Sequence, residues 1–203
     1  MKLICIGRNY ADHITELANQ RPTEPVIFLK PDTAVLNDES PFVIPDFSEN
    51  VHHEVELIIK IGKTGKHITP EFASQYFDEI GLGIDFTARD LQDQLKNKGL
   101  PWEKSKAFDS SAVVGDFLPK SNFADLNNIP FSLQKNGETV QDGNSSLMLW
   151  KMEELICYTS TFFTLKKGDL IFTGTPAGVG KVDAGDVLKG FINEQLMFTT
   201  KVI

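Results

Sequence analysis

Short apolar runs separated by polar turns make up the chain, and the period within each run sets the element expected there. LICI at 3–6 predicts a strand, and GRNY after it a tight loop. Asn9 stands where it would cap a helix over 10–19, with Asp12 in the first turn, where the helix dipole favours a negative charge. A polar loop carrying Pro22 and Pro25 leads into VIFLK, a second strand, and residues 37–45 are turn-rich. HHEVELIIKIG at 52–62 is a longer apolar strand, closed by a turn at 62–65. A helix over 71–78, a strand at GLGIDFT and a short helix over 88–98, ended by Gly99 and Pro101, follow. WEKSKAF reads as a further strand. The second half is mostly short strands. Asn136-Gly137 inside FSLQKNGETVQDG is a hairpin signal. An amphipathic helix spans 152–163, LKKGDLIFTGTPAGVG is a strand between glycine-rich turns, and VLKGFINEQLMFTTKVI gives two strands around Asn193-Glu194. Helices do not alternate with strands regularly enough for a doubly wound sheet. The pattern predicts an α+β fold, mainly β, with a few peripheral helices.

Composition narrows the function classes. A chain of 203 residues suits one domain over 1–203, long enough to bury a core. Net charge is −8, from 20 basic and 28 acidic residues, with no basic run, so a nucleic-acid partner is not expected. No apolar run approaches the roughly 18 residues of a membrane span. MKLICIGRNY goes straight into a strand pattern with no signal-peptide h-region, so a cytoplasmic location is expected, where the sequon at Asn144 would be silent. Cys5 and Cys157 suggest neither a disulfide framework nor a zinc site.

The chemistry begins with Glu54 and Glu56. They sit two apart in an apolar strand and so share a face. Like charges side by side are unfavourable, and burying them is worse. Either that face is wet or something positive sits between them. Asp85 adds a third carboxylate in another apolar strand, among Leu82, Ile84 and Phe86. Three carboxylates with no cysteine nearby form a hard oxygen donor set that suits magnesium or manganese better than zinc. His52 and His53 read as packing or supporting groups rather than ligands. His13 and Glu16 share a helix face, as an ordinary surface pair or as a base oriented by its carboxylate. Arg89 and Gln92 likewise share a face. Lys104 and Lys106 are expected on one side of their strand, Lys104 as a surface lysine and Lys106 as a group able to hold developing negative charge. TGTPAGVGK is not a phosphate loop: five residues, not four, separate Gly174 from Gly180-Lys181, and Val182 stands where Ser or Thr is needed.

Six segments, GRNYADH, EPVIFLKP, HHEVEL, GIDFTARDLQ, KGLPWEKSKAFD and TGTPAGVG, occur in an order that resembles the fumarylacetoacetate hydrolase superfamily, in its short acylpyruvase and oxaloacetate decarboxylase branch. The resemblance implies a mixed β-sandwich roll like the family's C-terminal domain, and a homodimer. It implies that Glu54, Glu56 and Asp85 hold Mg2+ or Mn2+. It also makes 11–25 a mobile lid whose His13 and Glu16 activate a water, Lys106 the active-site lysine, and Arg89, Gln92 and Thr175 substrate contacts. With only six residues before Gly7, the separate N-terminal domain of the long family members is expected to be missing. The implied reaction is hydrolysis of a C–C bond in acylpyruvates such as acetylpyruvate or fumarylpyruvate through a pyruvate enolate, with decarboxylation of oxaloacetate at the same site. The alternatives are an isomerase or decarboxylase of an aromatic-catabolic 2-oxo acid, and a non-catalytic metal-binding β protein.

Overall fold

The computed structural model describes residues 1–17, 20–37 and 40–203. In chain order the elements are β1 (Leu3–Gly7), α1 (Ala11–Glu16), β2 (Val26–Lys30), β3 (Val51–His53), β4 (Val55–Ile61), α2 (Pro70–Ala73), β5 (Phe77–Asp85), β6 (Thr87–Ala88), α3 (Arg89–Asn97) and α4 (Glu103–Lys106). The second half adds β7 (Ala112–Pro119), β8 (Pro130–Lys135), β9 (Glu138–Asn144), α5 (Met152–Phe162), β10 (Leu170–Phe172), β11 (Gly180–Lys181), β12 (Val187–Ile192) and β13 (Gln195–Lys201).

Among the described residues three sheets result. The largest has the order β2-β1-β10-β4-β5-β7, a second β13-β12-β8-β9, and a small one β11-β3-β6. Only the β1–β10 pairing in the large sheet is parallel, so the sheet is mixed. Strand alternation sorts the side chains. Ile4, Ile6, Leu57 and Ile59 join Phe131, Leu133, Leu188 and Ile192 in one core between the two larger sheets, with Leu155 and Ile156 of α5. Leu3, Cys5 and Ile58 point the other way, with Leu170 and Phe172, into a smaller cluster. The architecture is the mainly β sandwich roll with peripheral helices that the sequence implies.

Local differences have local causes. HHEVELIIKIG is not one strand: β3 pairs with β6 and β11, β4 pairs with β5 and β10, and the chain changes sheets at Glu54. The first helix ends at Glu16, and the remainder of its expected span includes Ala18 and Asn19, which lie outside the described residues, as does part of the 11–25 segment. Asn9 does not cap it. Its side chain donates instead to the carbonyls of Thr173 (2.8 Å) and Trp150 (3.1 Å), stitching the β1–α1 loop to the turn after β10. The 71–78 helix shrinks to α2 and a 3-10 turn, because buried Phe77 starts the long interior strand β5. WEKSKAF is helical, not extended. Its strong helix formers close a turn on the Trp102 carbonyl, which accepts from Ser105 N (2.8 Å) and Lys106 N (3.1 Å). Lys104 and Lys106 therefore part company, Lys104 exposed and Lys106 buried.

Candidate active site

The pairing of β4 with β5 brings the carboxylates together. Val55 lies opposite Ile84 and Glu56 opposite Gly83, while Asp85 N–H donates to the Glu54 carbonyl at 2.9 Å. Gly83 is needed there: a Cβ would meet the Val113 carbonyl oxygen of β7 at 2.1 Å. Glu54, Glu56 and Asp85 are all buried, and one oxygen from each lies within 4.8 Å of the others.

The face is buried, and cations meet it. Lys106 Nζ donates to Glu54 Oε2 (2.7 Å), Asp85 Oδ2 (2.6 Å) and Thr87 Oγ1 (2.5 Å). The Arg89 guanidinium pairs with Glu54 Oε1 and donates to Gln92 Oε1 at 2.6 Å. Lys30, wholly buried at the end of β2, lies 2.7 Å from Asp85 Oδ1 and donates to Ser111 Oγ (2.9 Å) and to the Ser111 and Lys106 carbonyls. That ion pair does not meet hydrogen-bond geometry, which leaves Asp85 Oδ1 without a hydrogen bond in a buried place. Three cations from three elements thus surround two of the carboxylates.

Glu56 is different. Among the described residues its Oε2 accepts only from the Gly174 N–H, at 2.7 Å. Gly174 holds φ +100° there, and a Cβ would meet Asn9 Cβ at 2.7 Å. Burial, then the charges of Asp85 and Glu54, push the Glu56 carboxyl well above the usual carboxylate range. Burial alone would raise Glu54 too, but Lys106 and then Arg89 hold it well below that range. Burial would lower Lys106, and the Asp85 and Glu54 charges more than offset it, so its ammonium is held.

His13 and Glu16, on α1, face each other with Nδ1 3.2 Å from Oε2. Burial lowers the His13 pKa from its ordinary value, against the opposing Glu54 charge, so the ring is neutral at pH 7. A neutral ring facing a carboxylate carries its proton on Nδ1, leaving the Nε2 lone pair free as a base. The other Glu16 oxygen accepts the Gly178 N–H at 3.0 Å and ties α1 to the glycine-rich turn. Thr175 in that turn accepts a hydrogen bond from Gln141 Nε2 (2.8 Å), and Gln141 Oε1 accepts from Val55 N (3.0 Å) and faces His53 Nδ1 (2.9 Å).

One pocket gathers His13, Glu54, Glu56, Asp85, Arg89, Gln92, Lys106 and Thr175, and Glu16 reaches it through His13. His52 bonds Asn50 and His53 faces Gln141, so both support rather than line it. Sequence reasoning missed Lys30, Thr87 and Gln141 as supports. Lys30 carried a signal, a charge at the end of the apolar run VIFLK, whereas nothing local marks Gln141. The donor set fits a hard divalent cation: three buried carboxylates within mutual reach, among the described residues one of them with no cation of its own and another with an oxygen that accepts no hydrogen bond.

Comparison with known proteins converges on one family. A model described as Fumarylacetoacetate (FAA) hydrolase C-terminal matches residues 2–202. The oxaloacetate tautomerase YcgM of Escherichia coli (strain K12) is 45% identical over 188 residues, 92% of this chain and 86% of that protein. A mitochondrial oxaloacetate decarboxylase of Dictyostelium discoideum is 44% identical over 189 residues, 93% of this chain and 87% of that one. The crystal structure of fumarylpyruvate hydrolase from Pseudomonas aeruginosa, in complex with Mn2+ and pyruvate, superposes with a TM-score of 0.93 at 37% identity, covering 100% of this chain and 89% of that chain.

Proposed function

The chain belongs to the fumarylacetoacetate hydrolase family, and from that premise we propose that it is a divalent-metal-dependent enzyme that forms and resolves the enolate of a 2-oxo acid, cleaving acylpyruvates and acting on oxaloacetate. The observation that carries this reading is a single pocket in which three buried carboxylates meet a neutral histidine held by its own glutamate. Glu54, Glu56 and Asp85 would hold Mg2+ or Mn2+, which supplies Lewis-acid stabilisation of negative charge at the substrate's 2-oxo oxygen.

The chain's own residues do the rest. With an acylpyruvate, His13 Nε2 takes a proton from water, and the hydroxide adds to the distal carbonyl carbon. The Lys106 ammonium stands where it opposes charge on the resulting oxyanion, and Gln92 has its Nε2 free to donate once Oε1 is engaged by Arg89. The C3–C4 bond then breaks. One product is a carboxylic acid; the other is the pyruvate enolate, which gains a proton at C3. Oxaloacetate needs no attacking water. Loss of carbon dioxide leaves the same enolate, and tautomerisation requires only that a proton leave the enol oxygen and another arrive at C3. One enolate site thus serves the three reactions named for the relatives, with His13 as the base where a proton must be removed. Tautomerisation was not foreseen in the sequence.

In this proposal α1 and the loop after it are a lid, held shut by the Glu16–Gly178 hydrogen bond, and the protein works as a homodimer. The test is to follow acetylpyruvate and oxaloacetate absorbance with and without magnesium. Magnesium-dependent loss of acetylpyruvate supports hydrolysis. Enol-to-keto conversion or loss of oxaloacetate alone moves the assignment to tautomerase or decarboxylase. If both stay intact with metal bound, the proposal fails and an isomerase of a larger acid takes its place.

A further inference from the structure

One wall of the pocket is formed by groups that the chemistry above does not use: Arg8, Phe28, Lys96 and Trp102. Trp102 packs at 6.2 Å from Phe28 and lies against Gly7, where an added Cβ would fall 3.7 Å from indole Cζ3. Two cations share this indole. Arg8 Cζ is 5.9 Å and Lys96 Nζ 5.6 Å from the ring centroid. Arg89 and Lys106 are already committed to Glu54 and Asp85. Arg8 and Lys96, by contrast, form no ion pair and no side-chain hydrogen bond among the described residues.

The backbone and the charges point the same way. Arg8 is held at φ +61°, a region that non-glycine residues seldom occupy and that clusters at functional sites. Burial and the charges of Arg89, Arg8 and Lys106 disfavour the Lys96 ammonium, and Asp93, one helical turn earlier and exposed, opposes them. Four cationic side chains and three carboxylates line the pocket. A divalent ion adds two positive charges, so a singly charged acid leaves the pocket with an excess of positive charge.

We infer that Arg8 and Lys96, mounted on Trp102, form a subsite for a second carboxylate at the far end of the substrate, so that the site takes dianionic 2-oxo acids in preference to those ending in a methyl group. The inference rests on the preceding reading of the site as one that binds 2-oxo acids, and it deepens it. Oxaloacetate and fumarylpyruvate carry the distal carboxylate, and acetylpyruvate does not. Two hydrogen-bonded cations against a carboxylate account for a preference of about tenfold or more.

The test needs no turnover. 2-Oxoglutarate and 2-oxovalerate have the same five-carbon chain and the same chelating end, and differ in a distal carboxylate against a methyl. Each is titrated calorimetrically into the magnesium-loaded protein. The parent should bind 2-oxoglutarate about tenfold or more tightly, with a preference that shrinks as salt is raised. Arg8→Gln keeps a non-glycine residue at the same φ, and Lys96→Gln keeps a polar stem. Each should cut the preference by about threefold or more, weakening 2-oxoglutarate more than 2-oxovalerate, in variants whose melting temperatures confirm folding. Equal binding of the two acids by the parent, or a preference intact in both variants, overturns the subsite while leaving the 2-oxo acid reading standing. Failure of both acids to bind in magnesium overturns that reading, and the subsite with it.

Discussion

Lys106→Met removes the ammonium that joins Glu54, Asp85 and Thr87 while keeping an unbranched stem beside the Phe28 ring, whose centroid lies 5.0 Å from Nζ. Breaking a buried ion pair by deleting one partner costs about 3–5 kcal/mol, because the other charge stays desolvated. Here each carboxylate keeps a second cation: Arg89 pairs with Glu54, and Lys30 stands 2.7 Å from Asp85 Oδ1. The loss should therefore fall near the lower bound, about 3 kcal/mol. For a chain of this size each kcal/mol moves the melting temperature by about 2–4 °C, so metal-free K106M should melt about 6–12 °C below the parent. A divalent cation bound at the same carboxylates replaces the missing charge. In saturating magnesium the deficit should shrink to less than about half, since the ligand stabilises the variant more than the parent. Thermal unfolding in EDTA and in magnesium measures both quantities. A drop under about 2 °C in EDTA would show that Lys106 does not balance these carboxylates. Equal deficits in the two buffers would refute the claim that lysine and metal ion answer the same charge.

Glu56→Gln should leave a folded protein, since an amide oxygen can still accept the Gly174 N–H, and should abolish magnesium-dependent turnover; full activity would remove Glu56 from the metal site. His13→Ala should slow acetylpyruvate hydrolysis by about 100-fold or more and oxaloacetate decarboxylation far less, because only hydrolysis needs an activated water. Equal losses in the two assays would count against the base. The His52 pKa falls from 6.5 to about 4, through burial first and then the Arg89 charge. The unfolded chain therefore takes a proton that the folded protein refuses, and stability is lost as pH falls through the window between those values. The melting temperature of His52→Gln relative to the parent should rise between pH 7.5 and pH 5, and a constant difference would show that His52 does not contribute.

What could be read from the chain before its fold was seen follows from how far each residue's partners lie along it. Glu54, Glu56 and Asp85 stood out because two-residue periodicity and apolar neighbours are local signals. The antiparallel pairing of β4 with β5, consecutive strands of the large sheet joined through residues 62–76, then brings them together. The family motifs extended this to His13, Glu16, Arg89, Gln92 and Thr175. Lys106 was found by its motif but set on the wrong element. The alternation of Lys104 and Lys106 imitates a strand, while the turn is fixed by hydrogen bonds to the Trp102 carbonyl and by the burial of one lysine against Asp85. Lys30 and Gln141 stayed hidden for a plainer reason. Lys30 meets Ser111 81 residues away, and Gln141 meets Val55 86 residues away.

Charge pairing explains why this division matters for chemistry. Two glutamates on one face of an apolar segment are intolerable by themselves, and no nearby residue in HHEVELIIKIG relieves them. Relief comes to Glu54 from α3 and α4, and to neighbouring Asp85 from β2 and α4, elements that reach the site only when the sheets close. Closing the fold therefore fixes which cations are spent. Lys30, Lys106 and Arg89 are committed to Glu54 and Asp85, and among the described residues Glu56 is left with a single backbone N–H. Arg8 and Lys96 enter the same pocket uncommitted. Buried Glu56 needs a cation beside it, while half-buried Arg8 and Lys96 offer a place for an anion elsewhere in the same pocket. A divalent ion chelated by an acid with a second carboxylate answers both needs together.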